Sequence, residues 1–214
     1  MKLDEEQLKV AHKVTDIAVE LTLRSGSRWL VQPRDEYSTY WTLRDREGHE
    51  FTLHVGGYGN ENRIRVSGNW PKYRSNHGQD VSVYPHDLGG LHDAARAEYK
   101  EITVALSKPA ERIAADIRTR FWAGYFKVWN LCKDIAVRYE ANGRRTLEVA
   151  QSLAEKFGDR SRVEPRGMSA SFWSRDVSKV EVNVYDGEVS VNLGRLSSMS
   201  SAKAERVLKA LQGA

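Results

Sequence analysis

The chain of 214 residues is 40% hydrophobic and 29% charged, a composition that excludes collagen-like, coiled-coil and wholly disordered proteins. Its single cysteine excludes an internal disulfide. An acidic start and the lack of any apolar run near ~18 residues lead us to expect a cytoplasmic protein with no membrane contact. The net charge is only +4, small for a protein that coats DNA, whereas six Trp and nine Tyr supply many candidate contact residues.

The first third of the chain predicts one helix followed by an antiparallel meander. Asp4 and Gln7 form a capping-box pattern at the start of the helix, and Ser25-Gly26-Ser27 ends it. Alternating apolar residues then predict strands over Thr39–Leu43, Glu50–Val55 and Arg63–Val66. In the second of these strands, Thr52 and His54 share the face opposite to Phe51, Leu53 and Val55.

The middle of the chain predicts short elements that lead into a long helix. Asp80–Tyr84 and Ile102–Leu106 have strand patterns, and Asp87 or Asp93 is placed to cap a short helix that ends near Lys100. Ser107 is the predicted N-cap of the long helix, since serine is a preferred capping residue. Pro109 is compatible with this start, because the backbone amides of a first helical turn lack helical partners.

The long helix is predicted to end at about Glu140, before Asn142-Gly143. Besides its main apolar stripe it has a second one, formed by Trp122, Phe126 and Trp129, so its centre must be covered on two sides. This pattern fits either a homodimer with these three residues at the interface or an internal core sandwiched between two layers.

The last third repeats the opening pattern of a helix and three strands. A second amphipathic helix begins near Leu147, strands are predicted over Ser169–Trp173, Val180–Tyr185 and Val189–Leu193, and a short helix closes the chain. Asp186-Gly187 is a two-residue hairpin signal between the last two strands. We therefore predict an α+β fold in which two related α-β-β-β antiparallel units are joined by a long central helix; chance similarity between two ordinary meanders is the alternative.

This organisation gives three segments. Residues 1–106 form the N-terminal α-β meander unit, residues 107–141 the long central helix, and residues 142–214 the C-terminal α-β-β-β-α unit.

No catalytic or cofactor signature stands out, so we expect a protein that is not an enzyme and has neither cofactor nor metal. Cys132 lies on the apolar stripe of the long helix, which favours a packing role over a nucleophilic one. His86-Asp87 and His92-Asp93 contain ligand-type side chains, but a spacing of six does not place both imidazoles on one helix face. A metal-dependent enzyme that uses these histidines is the least favoured hypothesis.

The strongest site candidate is the basic and aromatic segment Asn62–His77, which includes the third predicted strand and the loop after it. Cations interleaved with aromatic rings suit a groove that contacts a nucleic-acid backbone and stacks its bases, and they also suit a protein interface. The alternative is the solvated outer face of a sheet, with Trp70 capping the core. The candidate residues are Arg63, Arg65, Trp70, Lys72, Tyr73, Arg74 and His77.

The segment Ile102–Phe121 resembles a sequence phrase of small accessory proteins of bacteriophages and plasmids, in which a strand and a Pro-containing cap precede an Ile-Ala-x-Asp-Ile helix. Position 119 is Thr where that pattern has Arg. The resemblance implies a mobile-element protein in the cytoplasm of a bacterial host. Our leading expectation is binding to nucleic acid or a nucleoprotein complex. The alternative is an anti-defence, anti-CRISPR-type inhibitor that docks on a host immune protein.

Overall fold

The computed structural model describes residues 5–34, 39–56, 61–88, 99–157, 162–166, 168–174, 178–194 and 201–212. Its helices are α1 (Glu5–Ser25), α2 (Ala110–Ile117), α3 (Ala123–Lys156) and α4 (Ser201–Leu211), and a π-helical turn over Arg118–Trp122 joins α2 to α3. Its strands are β1 (Leu30–Pro33), β2 (Tyr40–Arg44), β3 (Glu50–Val55), β4 (Arg63–Asn69), β5 (Lys72–Arg74), β6 (Asp80–Ser82), β7 (Ile102–Ala105), β8 (Glu164–Arg166), β9 (Ser169–Ser174), β10 (Ser178–Tyr185) and β11 (Glu188–Leu193).

The chain divides into two compact units. The first contains Met1–Pro71 and Val83–Lys133, and the second contains Lys72–Ser82 and Asp134–Ala214. The α+β class with a long central helix and flanking antiparallel sheets is confirmed.

The first unit is built on a five-stranded antiparallel sheet in the order β1-β2-β3-β4-β7. Apolar and polar residues alternate along its strands. Because successive strand residues point to opposite faces, the apolar side chains lie on the face that packs against α1, α2 and the start of α3. Tyr125 is fully buried in this core, and its hydroxyl donates to the carbonyl of Glu50 while it accepts from the Glu50 amide at 3.0 Å. Other buried members are Val14, Ile17, Leu21, Leu43, Phe51, Leu53, Ile64, Val66, Ile113, Ile117 and Phe121.

The second unit contains a sheet in the order β11-β10-β9-β8. Its core joins the C-terminal part of α3, through Ala150 and Leu153, to Phe172 and Val182 of the sheet and Val207 of α4. Asp186 and Gly187 form the predicted two-residue turn between β10 and β11, and both have positive φ, as this turn type requires. The β5–β6 hairpin also belongs to this unit.

Two predictions about the long helix are wrong. Its first segment begins at Ala110 after Pro109, with no side-chain cap, so Ser107 is not the N-cap. The helix also continues through Asn142-Gly143 to Lys156, so the second amphipathic helix predicted from Leu147 is its C-terminal part. An interior Gly costs a helix only ~1 kcal/mol, which packing readily offsets.

The predicted capping box at Asp4 and most of the predicted helix up to Lys100 lie outside the described residues. Within the part of the chain that the structure describes, no helix has both the length and the apolar character that a membrane crossing requires.

Candidate nucleic-acid interface

The outer face of the five-stranded sheet carries the polar residues of β2, β3 and β4. Phe51, Leu53 and Val55 are buried on the inner face, so Thr52 and His54 must lie on the outer one. Arg63 and Arg65 alternate in the same way with the buried Ile64 and are exposed. This outer sheet face is therefore an ordered, polar surface with a hydrophobic core beneath it.

A continuous row of cations and rings crosses this face. Tyr40 on β2 pairs in register with His54 on β3, which pairs with Arg65 on β4. The Tyr40 and His54 rings stack with centroids 4.1 Å apart and planes 3° from parallel, and the Arg34 guanidinium carbon lies 5.9 Å from the Tyr40 ring centroid. We call Arg34, Tyr40, His54 and Arg65 the cross-strand row.

Glu101 forms an ion pair with the last member of the cross-strand row. Arg65 donates from Nε to Glu101 Oε2 at 2.7 Å and from Nη2 to the same oxygen. This hydrogen bond and the carboxylate charge raise the pKa of Arg65. Both side chains are partly exposed, at 57% and 38%, so water screens the pair and an incoming anion can compete for Arg65.

Burial, and then the charge of Arg65, lower the pKa of His54 below its ordinary value. The imidazole therefore favours its neutral form, in which it stacks on Tyr40 as a flat aromatic surface. A phosphate near the cross-strand row would favour the imidazolium instead, because an opposite charge stabilises the protonated ring.

Among the described residues of the outer sheet face, positive charge exceeds negative charge. Arg44 stands opposite Glu50 in the register of β2 and β3, and Glu50 Oε1 also accepts from the Asn69 side chain at 2.7 Å. In the part of the chain that the structure describes, four arginines therefore face two glutamates; they are Arg34, Arg44, Arg63 and Arg65 against Glu50 and Glu101. Guanidinium groups bind phosphate in a fork geometry, and the stacked rings suit bases or sugars.

Three predicted site residues lie in the first unit. The side chains of Arg63 and Arg65 project from β4 on the outer sheet face. Trp70 is half-buried and packs against the core, with its ring centroid 4.9 Å from that of Tyr99 and 5.7 Å from that of Tyr125. Trp70 therefore contributes to packing in this structure, in agreement with the alternative that it caps the core.

The other four predicted residues lie in the second unit, on the β5–β6 hairpin. Lys72 and Arg74 are exposed on β5, and Arg74 lies 4.0 Å from Asp80. The Tyr73 ring packs edge-on against Tyr139 of α3, 5.4 Å between centroids, and His77 is exposed in the turn. The seven residues are thus divided between the units, three on the first and four on the second.

The structure contradicts an exposed interface at Trp122, Phe126 and Trp129. Trp122 and Trp129 are buried, at 8% and 4% exposed, and Phe126 packs against the same core. Trp122 stacks on Trp29 at 5.9 Å, because α1 and the π-helical turn cover the same side of the sheet. The two-sided apolar centre of the long helix is therefore internal core.

The turn between β2 and β3 contains three ligand-type side chains, Asp45, Glu47 and His49, whose candidate atoms lie within 4.8 Å of one another. Asp45 Oδ1 accepts from the amides of Glu47 and His49, both at 2.9 Å, and Oδ2 lies 2.8 Å from His49 Nδ1. The His49 ring packs on Trp129 at 4.3 Å. These contacts account for the closeness of the three side chains. Asp45 closes the turn through its hydrogen bonds and holds His49 against the core.

Two other sequence candidates have ordinary structural surroundings. Asp87 accepts from the Tyr84 amide at 2.7 Å and lies 3.6 Å from His86, while His92 and Asp93 fall outside the described residues. Cys132 is fully buried, and burial raises the pKa of its thiol to about 12. Such a thiol is a packing residue and a poor nucleophile.

Comparison of the chain with protein-family models, with curated proteins and with solved structures gave no match.

Sequence reasoning missed four members of the interface: Arg34, Tyr40, His54 and Glu101. Tyr40 and His54 both lie in predicted strands, and the strand alternation places His54 on the outer side. The missing information was the register, which pairs Tyr40 with His54 and His54 with Arg65. Glu101 lies 36 residues from Arg65 along the chain, and no local pattern connects the two.

Proposed function

We propose that the protein is a non-enzymatic nucleic-acid-binding protein that uses the outer sheet face of its first unit. The cross-strand row is the observation that carries this proposal, since it places arginines beside a stacked Tyr–His pair. Arg63, two residues before Arg65 on the same face of β4, adds a further exposed cation. Phosphates would contact the guanidinium groups, and bases or sugars would contact the rings.

A flexible single strand suits this face better than a rigid duplex. The polar side chains stand on a sheet surface, whereas sequence reading in duplex DNA needs an element that enters a groove. The excess of two positive charges among the described residues of this face predicts modest affinity with a shallow dependence on salt.

The test is fluorescence anisotropy with labelled single-stranded DNA, single-stranded RNA and duplex DNA, from low to physiological salt. We expect the single strands to bind best. Each phosphate contact contributes about 0.7 to the salt slope of a single strand, so Arg63→Ala with Arg65→Ala should lower that slope by about 1.4.

Arg144→Ala with Arg145→Ala is the matched control, since it removes the same charge from exposed positions on α3 in the second unit. Equal losses in the two double variants would show that binding follows net charge and would reject the outer sheet face as the site. Absence of binding at low salt would reject the proposal altogether.

The biological setting within this proposal follows from the resemblance of Ile102–Phe121. It supports a role as an accessory protein of a phage or plasmid that acts in a bacterial cytoplasm on nucleic acid or on a nucleoprotein complex.

The second candidate function is an anti-defence inhibitor that docks on a host immune protein. It is favoured by two aromatic side chains on the second sheet, Trp173 and Tyr185, which are 61% and 71% exposed. Exposed Trp and Tyr are frequent binding hot spots at protein interfaces.

The two functions make different predictions for a purified host immune complex. An inhibitor should bind that complex after nuclease treatment, and Trp173→Ala should weaken binding by at least about tenfold, as for a hot-spot residue. Arg63→Ala with Arg65→Ala should leave this binding unchanged, because the two arginines belong to the other unit. Dissociation of the protein from the host complex on nuclease treatment would exclude the inhibitor function and support nucleic-acid binding.

A further inference from the structure

Strand β11 forms an open edge of the sheet in the second unit. It pairs with β10 on one side, and among the described residues no strand pairs with its other side. The strand has six residues, contains neither proline nor lysine, and includes Val189, which is 40% exposed. Natural proteins usually protect edge strands with such residues or keep them very short, because an unprotected edge pairs readily with another strand.

The other sheet edges of the described chain are shorter, and two of them contain proline. Strand β8 has three residues with Pro165 in the middle, and β1 has four residues and ends in Pro33. Proline lacks the backbone N–H that a further strand would need. Strand β7 has four residues, and each strand of the β5–β6 hairpin has three. Among these edges, β11 is therefore the one best suited to accept another strand.

The hydrogen bonds of the β10–β11 hairpin decide which backbone groups of β11 face the open edge. Tyr185 and Glu188 pair beside the two-residue turn, and the Gly194 amide donates to the Lys179 carbonyl at 2.7 Å. Hydrogen-bonded and non-hydrogen-bonded pairs alternate along an antiparallel ladder, so the even-numbered residues of β11 bond to β10. The amides and carbonyls of the odd-numbered residues therefore point to the open edge; these are Val189, Val191 and Leu193.

The same odd-numbered residues lie at the border of the second core. Val191 and Leu193 are partly buried and pack against that core, and Val189 follows them on the same face of the strand. Ser190 and Asn192 are exposed on the opposite face. A partner strand at this edge would therefore meet apolar side chains on one face and polar side chains on the other.

We propose that β11 pairs antiparallel with β11 of a second copy of this chain, about a two-fold axis at Val191. In this register Val191 stands opposite itself, and Val189 stands opposite Leu193. The outward amides and carbonyls of all three residues then bond to one another, and apolar side chains meet apolar ones. The pairing joins the two four-stranded sheets into one continuous sheet.

The polar side chains are compatible with the same register. Ser190 stands opposite Asn192, and Glu188, the one charged residue of β11, stands opposite Gly194 of the other copy. The strand is thus complementary to itself in hydrogen bonding, apolar contact and charge, as a two-fold interface requires. A register centred on Ser190 is poorer, because it places Leu193 opposite Gly187, which lies in the turn.

Sedimentation-velocity ultracentrifugation over the micromolar range tests the proposal. We expect a reversible dimer of the wild-type chain, with a dissociation constant in that range because one strand pair makes a small interface. Val191→Pro should weaken the dimer by at least about tenfold, since both copies lose a hydrogen bond at the axis. The Val191 amide points away from β10, so proline at this position leaves the hydrogen bonds within the chain intact.

Val191→Ala is the matched control, because it shortens the same side chain but keeps the backbone amide. It should weaken the dimer less than Val191→Pro does, and both variants should keep the circular dichroism spectrum of the wild type. A dimer that Val191→Pro leaves intact, or that the two variants weaken equally, would overturn the proposal. So would a wild-type chain that stays monomeric throughout the micromolar range.

Charge exchange on the exposed face tests the register without a change to the backbone. Ser190→Lys with Asn192→Lys places like charges opposite each other across the axis and should abolish the dimer. Ser190→Lys with Asn192→Glu places opposite charges there and should dimerise at least as well as the wild type. Equal dimerisation of the two double variants would contradict the register.

This proposal and the proposed function can fail separately. Arg63→Ala with Arg65→Ala should leave the dimer unchanged, because both arginines belong to the first unit and β11 belongs to the second.

Discussion

Tyr40 and His54 stack face to face across β2 and β3, with ring centroids 4.1 Å apart. The stack joins the Arg34 side of the cross-strand row to the Arg65 side, since Arg34 lies over Tyr40 and Arg65 pairs with His54. A titratable ring therefore lies between cations on the surface that we propose to bind phosphate.

This relationship predicts that nucleic-acid affinity increases as the pH falls below 6.5, the ordinary pKa of histidine. The pKa of His54 is lowered in the free protein, and a bound phosphate raises it, so binding takes up a proton. The His54→Gln variant should lose this extra pH dependence. The measurement is the dissociation constant by anisotropy in a pH series at fixed salt; equal pH dependence in both proteins would contradict a role for His54.

The lowered pKa of His54 also makes the folding stability depend on pH. The unfolded chain binds a proton at His54 near pH 6.5, while the folded chain resists it because the folded pKa is lower. Stability is therefore complete above pH 6.5 and falls as the pH drops through the window below it. Urea unfolding of wild type and His54→Gln at two pH values should show a smaller loss in the variant.

Neutralising Glu101 should strengthen nucleic-acid binding. Glu101→Gln frees Arg65 from its ion pair and removes a negative charge from the outer sheet face, so we expect a gain of up to about tenfold, or ~1.4 kcal/mol. Glu148→Gln is the control for net charge, because Glu148 is exposed on α3 in the second unit. Anisotropy at low salt measures both, and equal gains would mean that the ion pair has no specific influence.

Gly68→Ala should destabilise the first unit. Gly68 faces the core, and a Cβ at this position would lie 2.6 Å from Cε2 of the fully buried Tyr125. Overpacking of this kind costs ~1–3 kcal/mol. Ser67→Ala, on the outer face of the same strand, is the control and should change the unfolding free energy by less than about 1 kcal/mol. Urea denaturation followed by tryptophan fluorescence measures both, and a stable Gly68→Ala variant would show that the Tyr125 ring can move.

Gly143 and Asn76 should be energetically coupled within the second unit. A Cβ on Gly143 would lie 2.6 Å from Asn76 Oδ1, so Ala at this helix position gains ~1 kcal/mol in propensity but displaces the Asn76 side chain. Asn76→Ser replaces the Asn76 side chain with a shorter one that leaves room for the added Cβ. In that background, Gly143→Ala should stabilise the protein. A double-mutant cycle by thermal unfolding measures the coupling, which we expect to be ~1 kcal/mol. Strictly additive effects would contradict the contact.

Cys132 should resist thiol reagents while the protein is folded. Its side chain is fully buried and burial raises the pKa of the thiol to about 12, so almost no thiolate exists at pH 8. Labelling with a chromogenic disulfide should proceed at the rate of unfolding and become rapid in denaturant. Rapid stoichiometric labelling of the native protein would place Cys132 at an accessible surface.

The sequence by itself determined some of the local elements of this protein. Strict alternation identified β3 with its observed bounds, and the pair Asp186-Gly187 identified the β10–β11 turn. These features depend on periodicity and backbone conformation within a few residues, which are properties of the local sequence.

The tertiary structure decided which residues share a surface. Strand register brings Arg34, Tyr40, His54 and Arg65 into one row, and no local pattern contains that pairing. Packing against Trp29 places Trp122 in the core, although its position on a second apolar stripe was compatible with a dimer interface. The helix continues through Gly143 because the free energy of a turn signal, ~1 kcal/mol, is small beside that of long-range packing.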